Sequence, residues 1–400
     1  MRSSGFGEYT IIQYLSHTMN RQKIIILSTV FVDVLGFGIV IPILPFYLTE
    51  FGASAFTVTV LFSVFSFCAF LSAPLLGALS DRIGRRPVLL LSIFSTSIGW
   101  FVFASAVSIP ILFLGRIIDG IAAGNFTTAQ SYLIDISKND EKERVKNLGI
   151  IGATFGIGFI LGPMVGGILS TVSHAFPFYF VGGMALLNGI SAFFFLTESN
   201  HNRSTEKLRY NPLSPILRAY RNLPLRPLYT KWFLFSVSVV IVQTIFALYV
   251  QRAFNFDSFQ TGIFFTIIGL IIALNQTLLL NKFWIKRYSD KGLEQIMLVF
   301  AIIGLLFAAT QNIYLFLLSL PFFGTSQAVY RVVVANAALK KADPRMKGEV
   351  MGIITSIMTG AMVISPIAAG ALFEQNISYP FIVGSGFALI AFFWSFKNST

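Results

Sequence analysis

Twelve long apolar runs constrain this chain more than any motif in it. A helix needs about 20 mostly apolar residues to cross the hydrocarbon core of a bilayer. Runs of that order occupy 24–48, 56–79, 87–107, 109–134, 147–172 and 176–197. After a polar stretch they resume at 231–251, 259–281, 295–312, 313–338, 349–373 and 379–396. They are continuous, whereas barrel strands alternate over about ten residues, so the predicted fold is an all-α polytopic membrane protein. Composition agrees: 55% of the residues are hydrophobic and 12% charged, against about 45–50% and about 25% in a soluble domain. That argues against a water-soluble enzyme, and against a disordered chain, whose signature is low hydrophobicity. The one cysteine, Cys68, rules out an internal disulfide and a cysteine-built metal site. His17, His174 and His201 all fall outside the apolar runs, which removes an intramembrane histidine site.

The positive charges set the topology. Cytoplasmic loops carry the excess of Lys and Arg. With the N-terminus inside, all but three of the 29 Lys and Arg fall in inside segments. Arg116 and Arg331 lie within spans and only Arg252 lies outside, so both termini are predicted to be cytoplasmic. The net charge of +12 therefore reads as membrane topology, and no nucleic-acid partner is expected. The predicted organisation is a tail at 1–22, a six-helix bundle at 23–197, a basic linker at 198–230, a second six-helix bundle at 231–396 and a tail at 397–400. The first tail has no signal-peptide core, and Met19 is an alternative start. In the linker, Leu213, Ile216, Leu217 and Tyr220 recur at helical spacing. A short surface helix on anionic lipid and a plain connector both fit.

An internal echo points to duplication. A shift of 203 residues places Arg144, Gly149, Pro163 and Gly167 over Lys347, Gly352, Pro366 and Gly370. Two such halves suggest a transporter with its site between them near the midplane. Intramembrane charge costs several kcal/mol unless paired or hydrated, so the deep charges are the candidate site residues. Asp33 lies near the centre of the first span, ahead of Gly36, Gly38, Pro42 and Pro45, which weaken the helix. Arg116 and Asp119 are three apart in the fourth span and share a face, so either a functional or a purely structural pair fits. Arg331 is the deep charge of the second half, placed to bind an anion, to pair with Asp33 or Asp119, or to snorkel. Gln243 and Gln327 are candidate polar liners, with Asn275, Gln276 and Asn336 behind them.

Four motifs stand in order on the expected spans: DVLGFGIVIPILP (Asp33 to Pro45), GALSDRIGRR (Gly77 to Arg86), LFLGRIIDGIAAG (Leu112 to Gly124) and GIGFILGPMVGG (Gly156 to Gly167). Together they resemble the major facilitator superfamily, in particular its twelve-span drug:proton antiporters and bacterial tetracycline-efflux proteins. The likeness continues through Tyr132–Gly149 and Phe176–Gly189 to LTES at Leu196. It implies two pseudo-symmetric six-helix bundles that export small molecules against protons, with Arg116 tied to proton coupling. It also implies a gate at Gly77, Asp81, Arg82, Gly84 and Arg85, where Asp81 meets the start of the eleventh span near Gly348–Gly352 and Arg85 meets Asp135. Gly158, Gly162, Pro163, Gly166 and Gly167 become a hinge at the interface between halves. The expected partners are a small-molecule substrate, protons and the lipid bilayer, for a monomer in a bacterial cytoplasmic membrane with no cofactor and no metal.

One departure bears on substrate. Tetracycline exporters carry an acid in the third span, where this chain has Gly99. No acid is expected within the ninth span, and no histidine in the eighth. The transporter reading stands without the tetracycline one. Uptake of a metabolite or siderophore is the competing transport reading. No Ser/His/Asp, zinc or phosphate-loop constellation supports an enzyme, and GxxxxGK[ST] is absent.

Overall fold

A computed structural model describes residues 21–137, 140–200, 211, 213–343 and 346–397. The tail with Met19, together with Lys138, His201, Pro212, Arg345 and the linker stretch 201–210, lies outside them. Twelve helices are long and apolar enough to cross a membrane, and no strand occurs among the described residues. They are α1 (Arg21–Thr49), α2 (Ala55–Ile83), α3 (Arg85–Ala104), α4 with α5 (Ile109–Ile121, Asn125–Ile136), α6 (Glu141–Ser170) and α7 (Phe176–Phe195). The short α8 (Ser214–Arg221) follows, then α9 (Arg226–Phe254), α10 (Ser258–Leu274) with its continuation through α11 (Ile285–Arg287), α12 (Asp290–Ala309), α13 (Ile313–Lys341), α14 (Lys347–Gln375) and α15 (Tyr379–Lys397).

Two spans depart from the uniform helices that their hydropathy suggests. The fourth breaks at Ala122–Gly124, where α4 stops and α5 starts. A Cβ on Gly120 would sit 2.6 Å from Cys68 Cβ, and one on Gly124 2.7 Å from Leu76 Cβ, so both glycines exist to let α2 approach the break. Turn bonds from Ala123 N and Gly124 N to Gly120 O and Ala122 O satisfy the freed backbone, as a break inside a bilayer requires. The eighth span runs as a π-helix over Asn275–Trp284. Asn275 is the cause we can name: it is buried, donates to Thr325 Oγ1 (3.1 Å) and accepts from Trp284 Nε1 (3.0 Å). That corrects its assignment as a cavity liner.

The ninth span also differs. Ser289 caps α12 by accepting from Gly292 N at 3.2 Å, so the helix begins before the apolar run and takes in Glu294. That acid is buried and ion-paired to Lys231 of α9 at 2.5 Å. The ninth span therefore does carry an acid, and Arg331 is not the only charge within the spans of the second half. Both partners sit near the start of their helices.

Glycine stripes decide how α6 packs. Gly158, Gly162 and Gly166, four residues apart, face α1: a Cβ on Gly162 would stand 2.8 Å from Gly38 Cα, and one on Gly166 3.2 Å from Ile39 Cα. Gly167 and the Pro163 carbonyl face α10 instead, where a Cβ on Gly262 would lie 2.5 Å from Pro163 O. The predicted interface hinge thus splits into a contact within the first bundle and a contact between bundles.

The two ends of the molecule are in different states. At the end away from the basic loops, α6 and α10 close through Ser170 and Ser258, whose hydroxyls are 2.8 Å apart. There α2 and α14 close through Glu374, whose Oε1 accepts from Phe56 N at 3.0 Å, and through Gly370, packed on Phe56 and Thr59. Toward the basic end, a Cβ on Gly149, Gly152 or Gly156 of α6, or on Gly348 or Gly352 of α14, would meet open space. The bundles meet at one end and part at the other. Leucine at Gly262 would collide with backbone and is expected to open the closed end. In a Cys68→Ser background, Ser170→Cys/Ser258→Cys should oxidise readily, and adding Gly262→Leu should remove most of that crosslink. Unchanged crosslinking would show that this contact does not hold the seam.

Candidate functional site

The deep charges of the first bundle gather in one polar cluster. The break in the fourth span puts Asn125 at the head of α5, where its Nδ2 donates to Asp33 Oδ1 (3.1 Å) and to Thr96 Oγ1 of α3 (3.4 Å). Beside this group Asp119 Oδ2 lies 3.5 Å from Arg116 Nη1. Asp119 has room because residue 99 is glycine: a Cβ there would lie 2.9 Å from Asp119 Cβ. Arg116 is buried, its guanidinium carbon 4.7 Å from the Trp100 ring centroid, 5.1 Å from Phe103 and 5.3 Å from Phe65. Each such desolvated contact contributes up to about 2 kcal/mol, which keeps a guanidinium in an apolar bundle with one weakly engaged carboxylate.

The cluster borders the space between the bundles. Asp33, Phe37 and Ile41 recur every four residues, so they share one face of α1. Phe37 and Ile41 line a small recess with Phe62 and Ser66 of α2, Val240, Gln243 and Thr244 of α9, and Met362 and Pro366 of α14. Asp33 is one turn beyond, toward the basic end. The wall is apolar with a few polar groups, the usual make-up of a small-molecule site. Gln243 is therefore at the cavity. Gln327 is half-buried on α13, and Asn336 and Arg331 are exposed. Arg331 makes no ion pair with Asp33 or Asp119, because it projects from a bundle that has parted from theirs at this end.

The short loop between α2 and α3 is the second focus. Arg85 is buried, with Nη1 2.6 Å from Asp81, Nε 3.0 Å from Asp135 and Nη1 2.7 Å from Ser80 Oγ. Asp81 does not meet the start of α14, whose Gly348 and Gly352 stand in open space; the parted ends leave it to Arg85. Gly77 has no neighbour within 4 Å either, so it makes no close helix approach here, and Arg82 is exposed. Gly84 has φ +111°, a conformation that side chains avoid. The turn lets Glu198, just after α7, accept from Arg85 N (2.8 Å) and Arg86 N (3.2 Å) at the start of α3, where a helix N-terminus favours an anion. Ser199 Oγ donates to Asp135 (3.0 Å) and Asn200 Nδ2 to Asp81 O (3.1 Å). No motif in the sequence shows that these residues clasp the loop between α2 and α3.

Comparison with known proteins agrees with this architecture. Residues 26–293 match the family model described as Major Facilitator Superfamily. The chain belongs to the major facilitator superfamily. It is 30% identical over 389 residues to the class E tetracycline resistance protein of Escherichia coli, covering 93% of this chain and 94% of that one. It is 28% identical over 384 residues to the quinolone resistance protein NorA of Staphylococcus aureus (strain COL), covering 93% and 95%. Among solved structures, the nucleoside transporter NupG superposes with a TM-score of 0.75 at 16% identity over 95% of this chain and 98% of that one. The human organic anion transporter MFSD10 gives 0.69 at 23%, covering 94% and 99%. The protein is a multi-pass integral membrane transporter of this superfamily, not an enzyme.

Proposed function

We propose that this transporter exports amphipathic small molecules from the cytoplasm of a bacterial cell in exchange for protons, with Asp33 as the acid for which proton and substrate compete. The observation that carries the reading is Asp33 itself. It is a carboxylate on the cavity-facing stripe of α1, held by an amide rather than by a cation, next to an apolar chamber between the bundles. An acid so placed can take a proton when the chamber faces one side and release it when it faces the other. The basic loops mark the cytoplasmic end, so the parted ends describe an inward-facing state. Relatives named for tetracycline and quinolone resistance support drugs of mixed chemistry as the substrate class.

The test is transport in proteoliposomes loaded with a pH-sensitive dye, using ethidium, a quinolone and a tetracycline. Substrate and protons should move in opposite directions. Movement in the same direction would make the protein an uptake symporter, and substrate flux with no proton movement would make it a facilitator.

A further inference from the structure

Asn125 has a feature that a purely structural residue lacks. Both hydrogens of its amide nitrogen are directed at partners, Asp33 and Thr96. Its carbonyl oxygen, fully buried, has no partner at all. An amide offers two donors and one acceptor oxygen, and a buried unpaired acceptor calls for an explanation. Asp33 supplies one. While its carboxyl group is charged it only accepts, and the Asn125 NH₂ serves it. Once protonated it becomes a donor, and the idle carbonyl of the same amide, turned about its last side-chain bond, can receive that hydrogen. Thr96 permits the turn, since its hydroxyl donates as well as accepts.

We propose that Asn125 is a positioning residue that serves Asp33 in both its charged and its protonated form, with Thr96 as the hydroxyl that follows its amide from one form to the other. This rests on the reading of Asp33 as the proton carrier. The other charged groups facing the site are Asp119 and Arg116 of α4. All of these residues come from the first bundle, so the Asn125–Asp33 contact persists while the second bundle swings away. When Asp33 gains a proton the amide reverses, and Thr96 reorients its hydroxyl to donate to the amide oxygen.

The experiment separates coupling from substrate movement. In proteoliposomes, ethidium uptake driven by a pH gradient is compared with ethidium counterflow at equal pH, which needs no net proton transfer. Asn125→Ala should lower gradient-driven uptake about tenfold, within the usual range of a coupling free energy between two sites, while counterflow stays near the wild-type rate. Thr96→Val should act in the same direction, and Thr96→Ser, which keeps the hydroxyl, should restore uptake. Wild-type driven uptake in both Asn125→Ala and Thr96→Val overturns the positioning role. Equal loss of both modes in these two variants also overturns it, because the residues would then serve folding or substrate binding alone. The underlying reading fails separately, if Asp33→Asn itself still accumulates ethidium against a gradient.

Discussion

Asp33→Asn should abolish accumulation driven by a proton gradient and spare exchange of substrate for substrate. Asparagine keeps the size of the side chain and its place beside Asn125, so the helix packing around it is preserved, but it cannot carry a proton. The loss expected is that of the coupling between proton and substrate, roughly 5–150-fold in accumulation ratio. Counterflow should continue because the cavity lining of Phe37, Phe62 and Gln243 is untouched. Proteoliposome uptake with and without an imposed gradient measures both quantities. Full accumulation by the variant would move the proton site, with Asp119 next in line. Asp119 differs in having Arg116 beside it, so an acid there would trade protons against an ion pair as well as against substrate.

Arg85→Ala should cut turnover by at least about tenfold and lower thermal stability in detergent, since a carboxylate that loses its cation away from bulk water is left uncompensated. The residue lies between Asp81 and Asp135 and also holds Ser80, so its removal leaves a part-buried carboxylate on Asp135 with only Ser199 donating to it. Insertion should survive, because the twelve apolar spans do not depend on this loop. Asp81→Asn should be milder for stability, since Asp81 is half exposed, yet still slow transport if it must meet α14 in the opposite conformation. Exchanging the charges of Arg85 and Asp135 should recover part of the lost activity. Turnover close to normal in both single variants would reduce the loop to a topology signal.

Most of the architecture was legible in the sequence because a bilayer leaves the chain few choices. Continuous apolar runs can only be helices there, so span number followed from run length, and 112–124 and 156–167 announced the family through glycines that helix contact requires. What hydropathy could not show was where polarity interrupts a span. Asn125 reads as one polar residue in an apolar stretch, and only the break at 122–124 aims it at Asp33. Glu294 was hidden for the opposite reason: its apolar run begins one residue later, while its helix begins at a serine cap upstream. Glu198 lies in a stretch that looks like ordinary loop, and its partners are backbone N–H groups, which no side-chain pattern can reveal. The pairing of Arg85 with Asp135 came from family resemblance, and the coordinates place the two 3.0 Å apart.

The bare glycines of the parted end have a consequence for how variants of this protein should be read. A glycine inside a helix costs roughly 0.5–1 kcal/mol relative to alanine, and Gly149, Gly152, Gly156, Gly348 and Gly352 gain no contact in return in this conformation. Alanine at those positions fits the space around them and would stiffen α6 and α14, so a melting measurement would score it as an improvement. The same methyl groups would stand in the seam when the ends come together. Thermal stabilisation and transport cycling therefore pull in opposite directions along these two helices, and a stabilised variant chosen for crystallisation would be a protein arrested at one point of its stroke.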